Sequence, residues 1–207
     1  MGLTQDEIPG YWAKRGARYA KEGGWGPGAM TPEQHSAQVE ERAAFIFEEC
    51  PCDVRTLDYG CGIGMYSKYF EPDKYLGLDI AEPHLEIARA TNPDYKYGHI
   101  ASPTFAEALD WQWDVFFTAT VLQHCSDAVI EGLLTNVATK HPGPFLFSIY
   151  EYANQDWTSR QTMGRTADDY IEMVDWHFRV VKATTRSHLI HGTTCAHTMI
   201  DVEAIGD

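Results

Sequence analysis

The chain has 207 residues, with 16 Lys+Arg against 30 Asp+Glu and a formal net charge of −14. That length holds one domain with a small attachment, and 44% apolar with 22% charged residues is a globular balance rather than a disordered one. The acidic excess disfavours binding nucleic-acid backbones or anionic membranes through a general basic surface, because such affinity comes from Lys and Arg displacing counterions.

The longest uninterrupted apolar stretch, Ala43-Ala44-Phe45-Ile46-Phe47, is far short of the roughly 20 residues that cross a bilayer, so no transmembrane helix is predicted. The start, Met1 to Glu7, lacks the basic lead and apolar centre of a secretory signal. Asp6 stands where N-myristoylation needs Ser or Thr. Five cysteines (Cys50, Cys52, Cys61, Cys125, Cys195) are an odd number in a chain too large to need staples. Free thiols in a reducing, cytoplasmic compartment are expected.

In chain order, residues 10–29 combine aromatics with Glu22-Gly23-Gly24-Trp25-Gly26-Pro27-Gly28, a run too glycine-rich to hold regular structure. Residues 1–30 therefore read as a lid or substrate-covering segment, ahead of a domain over 31–207. Thr31 reads as an N-cap with Pro32 at the first helical position and Gln34 completing a capping box. The helix that follows should bury Val39, Ala43 and Ile46. Seven strand candidates come next, at 55–59, 75–79, 95–99, 114–119, 145–150, 177–184 and 194–200, rich in β-branched and aromatic residues. Helical stretches are expected near 63–70, 82–91, 104–110, 127–139 and 166–174. The fourth puts Val129, Leu133 and Val137 on one face behind a Ser126 cap. Strands alternating with helices predict a parallel sheet. Residues 187–193 are too few for a parallel crossover, so the last strand should be reversed.

The segment Asp58-Tyr59-Gly60-Cys61-Gly62-Ile63-Gly64-Met65 follows the first strand directly. Its glycines permit a tight turn and let a ligand approach the backbone. A dinucleotide fingerprint would need its third glycine where Met65 stands, and the Gly-Lys-Ser/Thr ending of a phosphate-cradling loop is absent. The second strand ends at Asp79, where a carboxylate can accept both hydroxyls of a ribose; the plainer alternative for Asp79 is a helix cap.

On these residues the chain resembles the class I S-adenosylmethionine-dependent methyltransferases. Asp58 to Gly64 matches that family's acidic-x-Gly-x-Gly-x-Gly loop in full, and Asp79 matches its ribose-binding acid. The likeness covers roughly residues 31–200. It implies an α/β, Rossmann-like, mostly parallel seven-stranded sheet with helices on both faces and an antiparallel last strand. It also implies S-adenosylmethionine as cofactor, with contacts from Asp58, Gly60, Cys61, Gly62, Gly64, Asp79, Ile80, Ile100, Ala101 and Thr118. The glycines would face the methionine part, Asp79 the ribose, and Ile80 the adenine. After the third strand His99-Ile100-Ala101-Ser102 departs from the acidic pair of many relatives, although Ile100 and Ala101 can still line the ring.

Methyl transfer from a sulfonium is an in-line displacement that needs alignment and, for many acceptors, proton removal. The segment Thr118 to His124 leaves the fourth strand at the expected reacting centre. There His124 is the general-base candidate, or alternatively a loop histidine that caps or packs. Tyr150, Glu151 and Tyr152 could face substrate from the fifth strand. Tyr11, Trp12 and Trp25 could cover the site, with Tyr11 the preferred member, or simply anchor the N-terminus. The fourth-strand exit lacks both the Asn/Asp-Pro-Pro-Tyr/Phe and the Pro-Cys patterns of nucleic-acid methylating enzymes, which favours a small-molecule acceptor with O or N as the methylated atom. His177, His188, His191 and His197 match no zinc spacing and read as surface residues, and no metal is expected. Cys50-Pro-Cys52 reads as a helix-end turn. Two other readings stay open: a catalytically silent binding protein that keeps the pocket, and an enzyme that breaks a different sulfonium bond.

Overall fold

The fourth strand shows why the domain is layered. Every residue of Val115-Phe116-Phe117-Thr118 is buried, and Val115 and Phe117 join one apolar cluster while Phe116 joins another. A strand alternates its side chains between faces, so an all-apolar strand must be covered on both. The computed structural model describes residues 6–22, 32–104, 111–141, 143–153, 162–190 and 193–204. Its elements are α1 (Glu7–Glu22), α2 (Pro32–Ile46), β1 (Thr56–Tyr59), β2 (Tyr75–Asp79), α3 (Glu82–Thr91), β3 (Lys96–His99) and β4 (Val115–Ala119). They continue with α4 (Asp127–Lys140), β5 (Phe145–Tyr152), α5 (Ala167–Asp175), β6 (Phe178–Ile190) and β7 (Thr193–Ala204).

The strands form one sheet in the order β3-β2-β1-β4-β5-β7-β6, with β7 antiparallel to both neighbours and the other pairings parallel. The sequence order therefore reverses at β1, and a crevice opens beyond the carboxyl ends of β1 and β4, where open α/β sheets place their ligands. On one face, Val129, Leu133 and Val137 of α4 pack with Phe116 and Phe147. On the other, Val39, Ala43 and Ile46 of α2 pack with Val115, Phe117 and Tyr150. Burying each large apolar side chain stabilises the fold by about 1.5–3 kcal/mol before entropy is counted.

The expected fold is observed, with local differences. Residues 63–70 form no α-helix: turns lead to a short 3-10 helix at Ser67–Tyr69. Gly64 has φ +75°, outside right-handed helical space. Its carbonyl then accepts the Ser67 hydroxyl at 2.8 Å and closes the turn. Ahead of the glycine-rich run, α1 covers Glu7–Glu22, and residues 23–28 of that run lie outside the described residues. Trp25, Thr31 and the stretch 105–110 lie outside the described residues. Ser126 occupies the N-cap of α4 without a side-chain cap bond, whereas Thr166 caps α5 in a reciprocal box with Asp169. His197, read as a surface residue, is 1% exposed and pairs with the Ser148 hydroxyl at 2.8 Å. It lies inside because Phe45 of α2 covers that face of the sheet and packs edge-on against its ring at 6.4 Å. All five cysteines are free, and Cys52 Sγ donates to the Cys50 carbonyl in the expected turn. Among the described residues, no helix is long and apolar enough to cross a membrane.

Candidate active site

The loop after β1 is held by its backbone. The N–H groups of Gly60 and Cys61 both donate to the Leu78 carbonyl, at 2.7 and 3.0 Å, which ties the loop to the end of β2. Gly60 has φ +76°, and a Cβ there would lie 2.5 Å from the Val121 side chain. Glycine is needed for both reasons. Gly62 also has positive φ, but a Cβ there would meet nothing within 4 Å. It borders a cavity, and its N–H donates to Asp79 Oδ2 at 2.8 Å. Asp79 Oδ1 accepts the Ala81 N–H at 2.8 Å, and His84 Nδ1 stands 3.6 Å away. Asp79 thus turns the chain into α3 and also braces the glycine loop. Two backbone donors occupy about half of a carboxylate's four lone-pair sites, so capacity remains for hydroxyl donors.

The cavity has a volume of about 500 Å³. Its walls are Asp58 to Gly62 from β1 and its loop, Asp79 and Ile80 after β2, Ile100 and Pro103 after β3, and Ala119 to Val121 after β4. From α1 come Ile8, Trp12 and Arg15, and from α2 come Gln38 and Arg42. This chain's residues fit an adenosyl sulfonium: an open edge at Gly62, a carboxylate with spare acceptors, and apolar walls from Ile80 and Ile100. Asp58 is 2% exposed. Burial pushes its carboxyl up to about 7, with Asp79 adding to the rise and the Tyr75 hydroxyl, donating at 2.6 Å, opposing it.

A single turn past β4 presents the polar groups. Gln123 and His124 line the cavity from the 3-10 helix Leu122–His124. Glu151 accepts the N–H groups of Val121, Leu122 and Gln123 at 2.9, 2.8 and 3.4 Å. Burial raises its carboxyl to about 7, against those three donors and Arg165. Arg165, itself paired with Asp127, donates to the carbonyls of Leu122 and Cys125 at 3.0 and 2.8 Å. Thr120, which leads into this turn, has φ +58°. The His124 ring lies 5.0 Å from Trp12 in an edge-on contact, and its Nε2 is 3.3 Å from the Gln123 amide nitrogen.

Of the predicted residues, Asp58, Gly60, Cys61, Gly62, Asp79, Ile80, Ile100 and His124 come together around the cavity. Five others lie away from its walls. Gly64 is buried behind the loop, where its carbonyl accepts from the Asn92 amide and the Ser67 hydroxyl. Ala101 is exposed, and Pro103 lines the wall in its place. Thr118 and Tyr150 are fully buried within the sheet. Thr120 and Tyr152, two residues further along the same strand faces, reach the cavity instead. Tyr150 bonds His188 at 2.8 Å. Tyr11 packs edge-on against Trp12 and accepts from Arg15 at 3.0 Å, while Trp12 and Arg15 line the cavity. Glu151 is buried and is not among the cavity-lining residues. Gln38, Arg42, Gln123 and Arg165 carry no motif in the sequence, and only the packing of distant segments brings them to the site.

The comparisons agree with this geometry. Residues 57–141 match a protein family described as a methyltransferase domain. None of the curated proteins compared with the chain matches it. The S-adenosylhomocysteine-bound magnesium protoporphyrin IX methyltransferase of Synechocystis PCC 6803 is 15% identical. That alignment covers 96% of this chain and 99% of that one, at TM-score 0.65. A DhpI–S-adenosylhomocysteine complex is 14% identical over 94% of this chain and 95% of that one, at TM-score 0.68. The CurJ carbon methyltransferase is 13% identical over 81% of this chain and 54% of that one, at TM-score 0.58. At such identities these likenesses concern the fold, whereas the family match falls on the glycine loop, Asp79 and the turn after β4. The chain is thus similar to the methyltransferase-domain family over residues 57–141 and shares its fold with solved methyltransferases.

Proposed function

We propose that the chain methylates an O or N atom of a small-molecule acceptor, with residues 1–30 covering the site and residues 31–207 forming the catalytic domain. The observation that carries this reading is the cavity itself. Its volume of about 500 Å³ is in the range of small-ligand pockets, and α1 contributes Ile8, Trp12 and Arg15 to its wall. The net charge of −14 also opposes a nucleic-acid acceptor.

The bound cofactor supplies an electrophilic methyl group on a sulfonium, so no covalent enzyme intermediate is needed. Gly60, Cys61 and Gly62 hold its amino-acid end, Asp79 its ribose, and Ile80 and Ile100 its adenine. Asp58 sets a carboxylate beside the cationic end. Gly64, Ala101 and Thr118 support these walls from behind. His124 takes the acceptor's proton, with Trp12 and Gln123 orienting its ring; Tyr11 holds Trp12 and Arg15 in place. Tyr152, rather than Tyr150, faces the acceptor from β5.

Incubating the protein with methyl-labelled S-adenosylmethionine and fractionated small metabolites tests the reading. Label on an O or N atom is expected. Label on carbon overturns the choice of atom, since the carbon methyltransferase CurJ shares this fold. Tight S-adenosylhomocysteine binding without any transfer favours a silent binding protein.

A further inference from the structure

Gln123 is 3% exposed and yet lines the cavity. Its backbone N–H donates to Glu151 at 3.4 Å, and its backbone carbonyl accepts the Met163 N–H at 2.6 Å. Its side-chain oxygen accepts the Tyr152 N–H at 3.4 Å, and its side-chain nitrogen lies 3.3 Å from His124 Nε2. A backbone N–H only donates, so Tyr152 fixes which end of the amide is oxygen. The NH2 end therefore faces the imidazole and donates to Nε2. A ring nitrogen that accepts carries no proton, so neutral His124 is protonated at Nδ1 and keeps its basic lone pair on Nε2.

Both side chains line the cavity, so an amide donor and an imidazole acceptor stand side by side on its wall. At 3.3 Å the bond between them is long for a nitrogen donor, and hydrogen bonds of this kind rearrange and tighten when the reactant arrives. A hydroxyl placed between them uses its whole capacity. It donates its one hydrogen to Nε2, accepts the Gln123 N–H on one lone pair and aims the other at the methyl group. A neutral amine has a single lone pair, and accepting the Gln123 N–H removes the pair that must attack. A carboxylate has no hydrogen for Nε2. We infer that Gln123 and His124 form a hydroxyl-selecting pair, so that the acceptor is an alcohol or phenol and the methylated atom is its oxygen. The inference rests on the proposed methyl transfer with His124 as base and narrows its atom. In the step, an oxygen lone pair forms the O–C bond, the S–C bond breaks with its electrons left on sulfur, and the hydroxyl proton passes to Nε2. The products are a methyl ether, a neutral thioether and an imidazolium.

Two measurements on the full chain test this. Heteronuclear NMR of histidine-labelled protein, with His124 assigned by the signal lost in His124→Asn, is expected to find its neutral ring protonated at Nδ1. Gln123→Glu, whose carboxylate accepts where the amide donated, is expected to move that proton to Nε2, which a merely structural Gln123 does not do. A wild-type proton on Nε2, or a tautomer indifferent to Gln123→Glu, overturns the pair. The second measurement is transfer of labelled methyl from S-adenosylmethionine to fractionated metabolites, with label expected on an alcohol or phenol oxygen. Gln123→Met should lower that transfer roughly tenfold or more, the loss of one buried hydrogen bond, while S-adenosylhomocysteine affinity is retained. Should Gln123→Met unfold, Gln123→Glu carries the same comparison. Label on nitrogen or on a carboxylate, or transfer unchanged in both variants, overturns the inference and leaves the methyltransferase reading standing. Failure of the wild type to bind S-adenosylhomocysteine sinks the cofactor reading instead, and the tautomer of the ligand-free protein still decides the pair.

Discussion

Glu151 and Arg165 grip the same turn from opposite sides, the first on its N–H groups and the second on its carbonyls. Between them they satisfy the backbone of the segment that presents Gln123 and His124. Arg165→Ala leaves those buried carbonyls and the Glu151 charge uncompensated, so it should destabilise the protein by about 3–5 kcal/mol. Urea denaturation reads this directly. Glu151→Gln keeps one acceptor oxygen and should cost less.

Asp79 joins the glycine loop to the start of α3, so its removal acts on ligand and loop together. Asp79→Ala is expected to weaken S-adenosylhomocysteine by at least about tenfold, the loss of one charge-assisted hydrogen bond. Calorimetry that finds equal affinity for mutant and wild type removes Asp79 from the cofactor site.

Gly60 is restricted by its backbone and by Val121. Gly60→Ala should cost about 1–2 kcal/mol for the left-handed conformation, plus a packing penalty of roughly 1–3 kcal/mol against the valine. Adding Val121→Ala should recover the packing part and not the backbone part, so thermal unfolding of the double mutant should fall between Gly60→Ala and wild type. A double mutant no more stable than Gly60→Ala alone would show that Val121 is not the obstacle.

The buried carboxyl of Asp58 sits at about 7, above its ordinary value of 3.8. The folded state therefore holds a proton that the unfolded chain has released. This contribution to stability is fully present below pH 3.8 and is lost as pH rises through about 7. In the free protein the melting temperature should fall between pH 5 and pH 8, and Asp58→Asn should flatten part of that fall. An identical slope in the mutant places the titration elsewhere.

His124→Ala should lower turnover at neutral pH by about 10²–10⁴, the usual worth of a general base, while S-adenosylhomocysteine affinity is retained. Loss should shrink as the pH approaches the acceptor's own pKa. Full turnover in the mutant at pH 7 returns His124 to a packing role against Trp12.

Local periodicity made much of this protein readable as a chain. The β-branched and aromatic runs at 75–79 and 114–119, the helical face Val129-Leu133-Val137, and the short link before the last strand each follow from neighbours along the backbone. They led to the observed sheet and its reversed strand. The glycine spacing and Asp79 were legible because a tight turn and a strand end are also local features. Where a neighbour of the expected residue lines the cavity instead, the offset is one pleat or one turn: Thr120 for Thr118, Tyr152 for Tyr150, Trp12 for Tyr11. Strand ends and helix rotation depend on contacts with distant segments, so such offsets are invisible in a linear pattern.

The sequence alone determined the layered sheet, the glycine loop and the acid beside it, because each arises from short-range sterics and the two-residue or 3.6-residue repeat of apolar side chains. Only the tertiary structure decided that Arg42 and Tyr66 share a wall, that Glu151 and Arg165 clamp one turn, and that α1 lines the cavity. Those pairings join residues 14 to more than 100 positions apart. They form when burial of the whole core, rather than any local preference, sets which side chains meet.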